Sequence, residues 1–232
     1  MDERMMNAAH ASPPLPHQPT TLFLVRHGQT DSNLRQLLHG QADVPLTAHG
    51  VTQAERIAAR LARETGVAAL YASPLQRAHH TARLIGAALG HEPILHDGLM
   101  EISFGEVEGL TIPETWERYP HLRPANEDDY NLDLQWPGGE SRRGFRERVR
   151  GTLLELLGRH WGETLIVVAH GGVISVGVNA LLREETLGWQ RYQVGNCSLT
   201  QLVWDDPDLA PAIACLDDRA HLGEETDASQ AT

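Results

Sequence analysis

An uncharged run of six residues, Thr164-Leu-Ile-Val-Val-Ala169, constrains this chain more than any other feature. A strand with one wet face alternates apolar and polar residues. A strand that is apolar throughout has both faces covered, the mark of a parallel sheet between helical layers. A second run, Thr21-Leu-Phe-Leu-Val25, is β-branched and apolar and reads the same way. Both runs end in a histidine followed by glycine, Val25-Arg26-His27-Gly28 and Val168-Ala169-His170-Gly171. In open α/β sheets ligands bind beyond the carboxyl ends of the strands, so both junctions fall where a site is expected.

Strand and helix signals alternate around these runs. Thr47 is an N-cap for a helix to about Glu64, with Ala54, Ile57, Ala58 and Leu61 on one face and Gly66 as its stop. Residues 67–72 read as a strand. Ser73-Pro74-Leu75-Gln76 then reads as a helix start, with serine as the N-cap, and Gly90 ends that helix after Leu89. Arg77 falls in its first turn. Residues 93–95 form a short strand, and Thr111-Ile-Pro-Glu114 is a capping box for a short helix to about Tyr119.

The stretch 120–140, with its acidic Glu127-Asp128-Asp129, reads as a long loop of the kind that serves as a lid. Ser141 caps a long helix to about Trp161, with Phe145, Val149, Leu153 and Leu156 inward. A further helix follows His170 to Leu182, and residues 197–204 and 212–216 pair as closing strands. The alternation implies an α/β fold in three layers, α/β/α, around a mostly parallel central sheet. Residues 1–19 and 223–232 are expected to be a disordered tail and a frayed end. Residues 20–222 would form one domain with a lid insertion at about 106–140.

A formal net charge of −12 argues against a nucleic-acid partner, which needs a basic face. No apolar run reaches membrane-spanning length. Residues 1–19 lack the apolar segment of a signal peptide, so the expected setting is the cytoplasm. Cys197 and Cys215 read as reduced thiols, with a bridge across the closing hairpin left open. Whether the chain forms a homodimer is also open.

If the three strands are neighbours, Arg26, His27, Arg77 and His170 converge on one pocket. Arginine stays charged and grips phosphate bidentately, and the helix starting at Gly171 offers free N–H groups and a positive dipole end. Such a pocket suits a phosphoryl group. Each feature alone has a blander reading: a core histidine, a surface arginine, an Asx turn at Asn33. The histidines do not suggest a metal site: His79 and His80 point to different sides of a helix, and His91 and His96 lack a third ligand in register.

Six ordered stretches carry a resemblance. They are Arg26-His27-Gly28-Gln29-Thr30 with Asn33; Asp43-Val-Pro-Leu-Thr47 with Gly50; Ser73-Pro-Leu-Gln-Arg77-Ala78 with Thr81-Ala82; Glu101 with Phe104-Gly105 and Glu108-Gly109; Pro137-Gly-Gly-Glu-Ser141; and Val168-Ala-His170-Gly-Gly172. Together the chain resembles the histidine phosphatase superfamily, in its phosphoglycerate-mutase-like branch.

The resemblance implies a metal-independent phosphomonoester hydrolase without a cofactor, acting on a small or broad range of phosphorylated metabolites. His27 would be the nucleophile, Glu101 the proton donor and then the base. Arg26, Asn33, Arg77, His170 and Gly171 would hold the phosphoryl group. Glu101 is expected to have its pKa raised by the like charge of a bound dianion. Where relatives often carry arginine and glutamine, this chain has Leu37 and His39, which puts a rim contact in doubt. Trp116, Arg118, Tyr119 and Tyr130 are candidate rim residues by their place in the insertion. A bisphosphoglycerate-dependent mutase and a non-catalytic phospho-ligand binder are the alternatives. The compact, acidic insertion speaks against the first, and retention of Glu101 against the second.

Overall fold

The computed structural model describes residues 18–223. The elements run β1 (Thr20–Arg26), α1 (Asp31–Leu34), α2 (Ala48–Leu61), β2 (Val67–Ala72), α3 (Gln76–Leu89) and β3 (Ile94–Leu95). There follow α4 (Ile112–Arg118), α5 (Leu122–Glu127), α6 (Arg142–Arg159), β4 (Thr164–Ala169), α7 (Gly171–Leu181), β5 (Leu199–Trp204) and β6 (Ala212–Asp218). The strands form one six-stranded sheet in the order β3-β2-β4-β1-β5-β6. β1, β2, β3 and β4 are parallel where they pair, and β5 and β6 close the sheet antiparallel.

The apolar runs are explained by two cores, one on each face. Leu22 and Leu24 of β1 and Leu165, Val167 and Ala169 of β4 pack into the core shared with α6, α7 and the insertion. Phe23, Val25, Ile166 and Val168 pack into the core under α2 and α3. The three-layer expectation therefore holds. Helix α7 is buried from Gly172 to Leu181, which is why its sequence shows no polar face.

Several boundaries differ from the sequence reading. Helix α2 ends at Leu61, capped by Ala62, and Gly66 lies beyond it in the turn to β2. Ser73 is not an N-cap: α3 begins at Gln76 with no side-chain cap, and the serine hydroxyl is used elsewhere. Asn33 closes a capping box with Thr30 at the start of α1.

The stretch read as a loop at 120–140 contains α5 and is packed. Leu122, Leu134 and Trp136 are buried, and the buried Arg142 donates to the carbonyl oxygens of Ala125, Asn126, Asp128 and Asn131. One guanidinium thus replaces the backbone pairing that regular structure would have supplied. The expected N-terminal tail lies outside the described residues except for Gln18 and Pro19, and the C-terminal tail does so except for Gly223.

Candidate active site

β2, β4 and β1 are neighbours in that order, so their carboxyl ends meet. Val25 pairs with Val168 and Arg26 with Ala169, so His27 and His170 leave adjacent strands side by side. Their ring centroids are 5.1 Å apart. Ser73, just past β2, is tied to the same edge by its N–H to the Val168 carbonyl at 3.0 Å. Tight backbone contacts hold the junction: a Cβ on Gly28 would collide with the Gly50 carbonyl.

His27 is almost completely buried. Its Nδ1–H donates to the Gly28 carbonyl at 2.8 Å, which leaves the lone pair on Nε2. Burial lowers its pKa well below the usual histidine value, and Arg77, His170, Arg26 and His39 add to the effect. The ring is a neutral base with one nitrogen tied down. The Asn196 amide donates to the His27 carbonyl at 3.0 Å and braces the turn.

His170 has both nitrogens engaged. Arg77 Nε donates to Nδ1 at 3.2 Å, so the proton sits on Nε2 and is donated to Ser73 Oγ at 2.8 Å. Its pKa is also lowered by burial first, then by Arg77. Arg77 is fully buried and donates through its terminal nitrogens to the carbonyls of Ala42 and Gly40, at 2.8 and 2.7 Å. Arg26 donates to the Val194 carbonyl at 2.6 Å. The Asn33 side-chain oxygen accepts from the Thr30 N–H at 3.0 Å and from the Asn196 amide at 3.3 Å, so its remaining capacity is as a donor.

Glu101 is presented to the start of α7. Its carboxylate accepts from the Gly172 N–H at 2.9 Å and from its own neighbour Ile102 at 3.0 Å. A Cβ on Gly172 would push against this carboxylate. With Gly172 so used, Gly171 keeps a helix-start N–H without a partner among the described residues. The Glu101 pKa is raised, and the leading cause is burial; the two N–H groups and Arg77 oppose it. The expected cause was a bound dianion, but the protein supplies the shift by itself. Arg148 fixes the segment, donating to the carbonyls of Met100 and Glu101 while it pairs with Glu140 at 2.7 Å.

Arg26, His27, Glu101 and Gly171 open onto a cavity of about 690 Å³. Arg77 and His170 lie beneath its floor. The wall brings in Phe104 and His39, which the sequence reading named as a motif residue and as a departure at the rim, and Trp189, Gln193, Asp217 and Arg219, which it missed. His39 sits 6.0 Å from the His27 ring, and burial and Arg77 lower its pKa to about 4.

The four rim candidates do not line this cavity. Trp116 stacks on Trp136, Arg118 covers the Tyr119 ring, and the Tyr119 hydroxyl donates to Glu106, while Tyr130 is exposed. Arg123 and Arg143 pair with Glu127 and Asp133, and Asp129 accepts from the Gly188 N–H. The charges of the insertion are used to hold its own shape.

A family model described as "Histidine phosphatase superfamily (branch 1)" matches residues 22–212. Phosphoserine phosphatase 1 of Hydrogenobacter thermophilus is 32% identical over 204 residues, covering 88% of this chain and 94% of that protein. A protein of an Enterobacter species named "Probable phosphoglycerate mutase GpmB" is 34% identical over 191 residues, covering 80% of this chain and 85% of its own. Among solved structures, the native mycobacterial glucosyl-3-phosphoglycerate phosphatase superposes with a TM-score of 0.78 at 30% identity, covering 86% of this chain and 99% of that one.

Proposed function

The chain belongs to the histidine phosphatase superfamily, and on that footing we propose that it hydrolyses phosphomonoesters of small metabolites through a phosphohistidine on His27. The observation that carries this reading is the state of the His27 ring, with Nδ1 held by the Gly28 carbonyl and Nε2 left unprotonated. An imidazole so wired attacks phosphorus without first losing a proton.

In the first step a P–N bond forms at Nε2 and the ester P–O bond breaks. Glu101, whose pKa is raised by burial, gives its proton to the leaving alkoxide. In the second step a water attacks phosphorus, the Glu101 carboxylate takes its proton, the P–N bond breaks and His27 is regained. Arg26, Arg77, the Asn33 amide and the Gly171 N–H balance the charge on the transferring oxygens. His170 acts in this scheme from below, through Arg77.

A mutase has to grip a second anionic group while phosphorus moves between two alcohols. The insertion arginines that would do so are paired with Glu127 and Asp133 or turned onto carbonyls. The phosphatases among the relatives and solved structures support hydrolysis over transfer.

The test is rapid quenching with a ³²P-labelled monoester in EDTA. An acid-labile, base-stable label on the protein, released as inorganic phosphate at the turnover rate, is the expected result. Turnover with no covalent label would refute the His27 route.

A further inference from the structure

Of the histidines at the cavity, His27 and His170 have roles in the steps above, and His39 has none. Its loop is fixed from both sides. Leu38 exchanges backbone hydrogen bonds with Gly109 and Leu110, at 2.6 and 2.8 Å, and the His39 carbonyl accepts from the Ala42 N–H at 2.7 Å. Arg77 holds the carbonyls of Gly40 and Ala42 from below. The ring is therefore a set part of the wall rather than a side chain on a loose rim. One of its nitrogens is committed. A carbonyl oxygen only accepts, so the 3.3 Å contact with Leu37 puts the proton on Nδ1. Nε2 keeps its lone pair and has no hydrogen-bond partner among the described residues.

The charged groups around His39 oppose a proton on that nitrogen. Burial, Arg77 from α3 and Arg26 from β1 together bring its pKa down to about 4. His27, with its ring 6.0 Å away, and His170 beneath are neutral for the same reasons. Glu101 spends its carboxylate on the N–H groups of Gly172 and Ile102, and Asp217 pairs with Arg219 at 3.3 Å. Glu108, behind the loop, accepts from the N–H groups of Gln41 and Phe104, and Asp43 from that of Gln76. No carboxylate pairs with His39 among the described residues. A phosphoryl dianion beside His27 reverses this balance. It offsets Arg26 and Arg77 and brings oxygens into the space between the two rings. An anionic oxygen and a bare Nε2 are both acceptors and repel each other. A proton between them makes a charge-assisted hydrogen bond instead.

We propose that His39 takes up one proton when a phosphoryl dianion enters the cavity and donates it from Nε2 to a phosphoryl oxygen. The proposal rests on the phosphatase reading and adds a binding residue for the transferring group. The proton comes from solvent on entry and returns to solvent when inorganic phosphate leaves, so each turnover balances. Arg26 and Arg77 are permanent cations, whereas His39 is a cation only while its counter-ion is present. A third arginine at that place would be an unpaired, largely buried charge between turnovers, pressed by two like charges. Binding of the dianion is therefore linked to pH: it is strongest where His39 can gain a proton and weakens as pH rises.

Sulfate is the probe, because it stays a dianion throughout the pH range used. Calorimetry near about pH 6, in buffers of different ionisation enthalpy, counts the protons taken up per sulfate bound. The count should fall by about one in His39→Gln, and the rise of affinity with acidity should become shallower by up to about tenfold per pH unit. Nitrogen NMR of the unsubstituted protein should show His39 Nε2 passing from unprotonated to protonated as sulfate is added. In turnover, His39→Gln should raise KM for p-nitrophenyl phosphate severalfold near about pH 6 and little near about pH 8. Equal proton counts in the two proteins would overturn the proposal. So would a His39 Nε2 that stays unprotonated at saturating sulfate, or failure of the cavity to take sulfate at all. Proton uptake at His39 in a protein that hydrolyses no ester, p-nitrophenyl phosphate included, would instead remove the phosphatase reading and keep the site.

Discussion

The two histidine junctions begin as the same local sequence and end as opposites. Each is an apolar parallel strand delivering histidine then glycine at its carboxyl end, and the two strands are hydrogen-bonded neighbours. His27 is tied at one nitrogen by a carbonyl one residue away, which leaves the lone pair on the other. His170 is tied at both, by Arg77 from α3 and Ser73 from the end of β2. Local sequence placed both rings; only long-range partners decide which one keeps a ring nitrogen outside these hydrogen bonds.

The sharpest way to break this comparison is to remove each ring in turn. His27→Ala should lower kcat/KM on the order of 10⁴-fold or more and abolish the covalent label. His170→Ala should cost about 10²-fold and keep the label, because it loosens Arg77 but leaves the attacking nitrogen. Equal losses, or a label that disappears with His170, would erase the distinction.

Protonation gives the next measurement. Both pKa values lie below the usual 6.5, so each ring is neutral in the fold and would be cationic when unfolded in mild acid. Stability is then complete above pH 6.5 and falls as pH drops below it, with His39 contributing down to about 4. Ring-nitrogen NMR should find the Nδ1–H tautomer at His27 and the Nε2–H tautomer at His170. On acidification His27 should protonate first, since a proton on His170 Nδ1 would confront the Arg77 Nε–H.

The smallest effect is expected for Ser73→Ala. It deletes one buried hydrogen-bond acceptor, a loss of about 1 kcal/mol or roughly fivefold, and should fall on kcat through His170 with KM little changed. A KM effect would mean that Ser73 touches substrate directly.

Much of this was legible beforehand because it depends on local pattern. The apolar runs at 164–169 and 21–25 announced a covered parallel sheet, and the capping box at Thr111 and the N-cap at Ser141 are present as read. Ser73 shows the limit. Its serine-proline-glutamine context satisfies a helix-start pattern, yet the hydroxyl is taken by a histidine 97 residues further on, and no local rule sees that. Arg142 is similar: a stretch without strand or helix signal was read as a loop, although a buried cation from α6 gives it a fixed shape. His39 left a trace, as a departure from the family pattern. Asp217 and Arg219 left none, because the shifted register of β5 and β6 beside them belongs to two strands and not to either alone.

The place of β1 in the sheet has one more consequence. The strand that ends at His27 is the first of the six to be made, but it lies between β4 and β5, which follow well over a hundred residues later. At translation speeds of about 5–20 residues per second, the nascent chain carries an unplaced His27 for roughly ten to thirty-five seconds. It gains a seat only once Trp204 has left the ribosome. A ribosome-bound chain truncated before β5 should therefore be catalytically silent, because β1 would lack one of its two neighbours in the sheet.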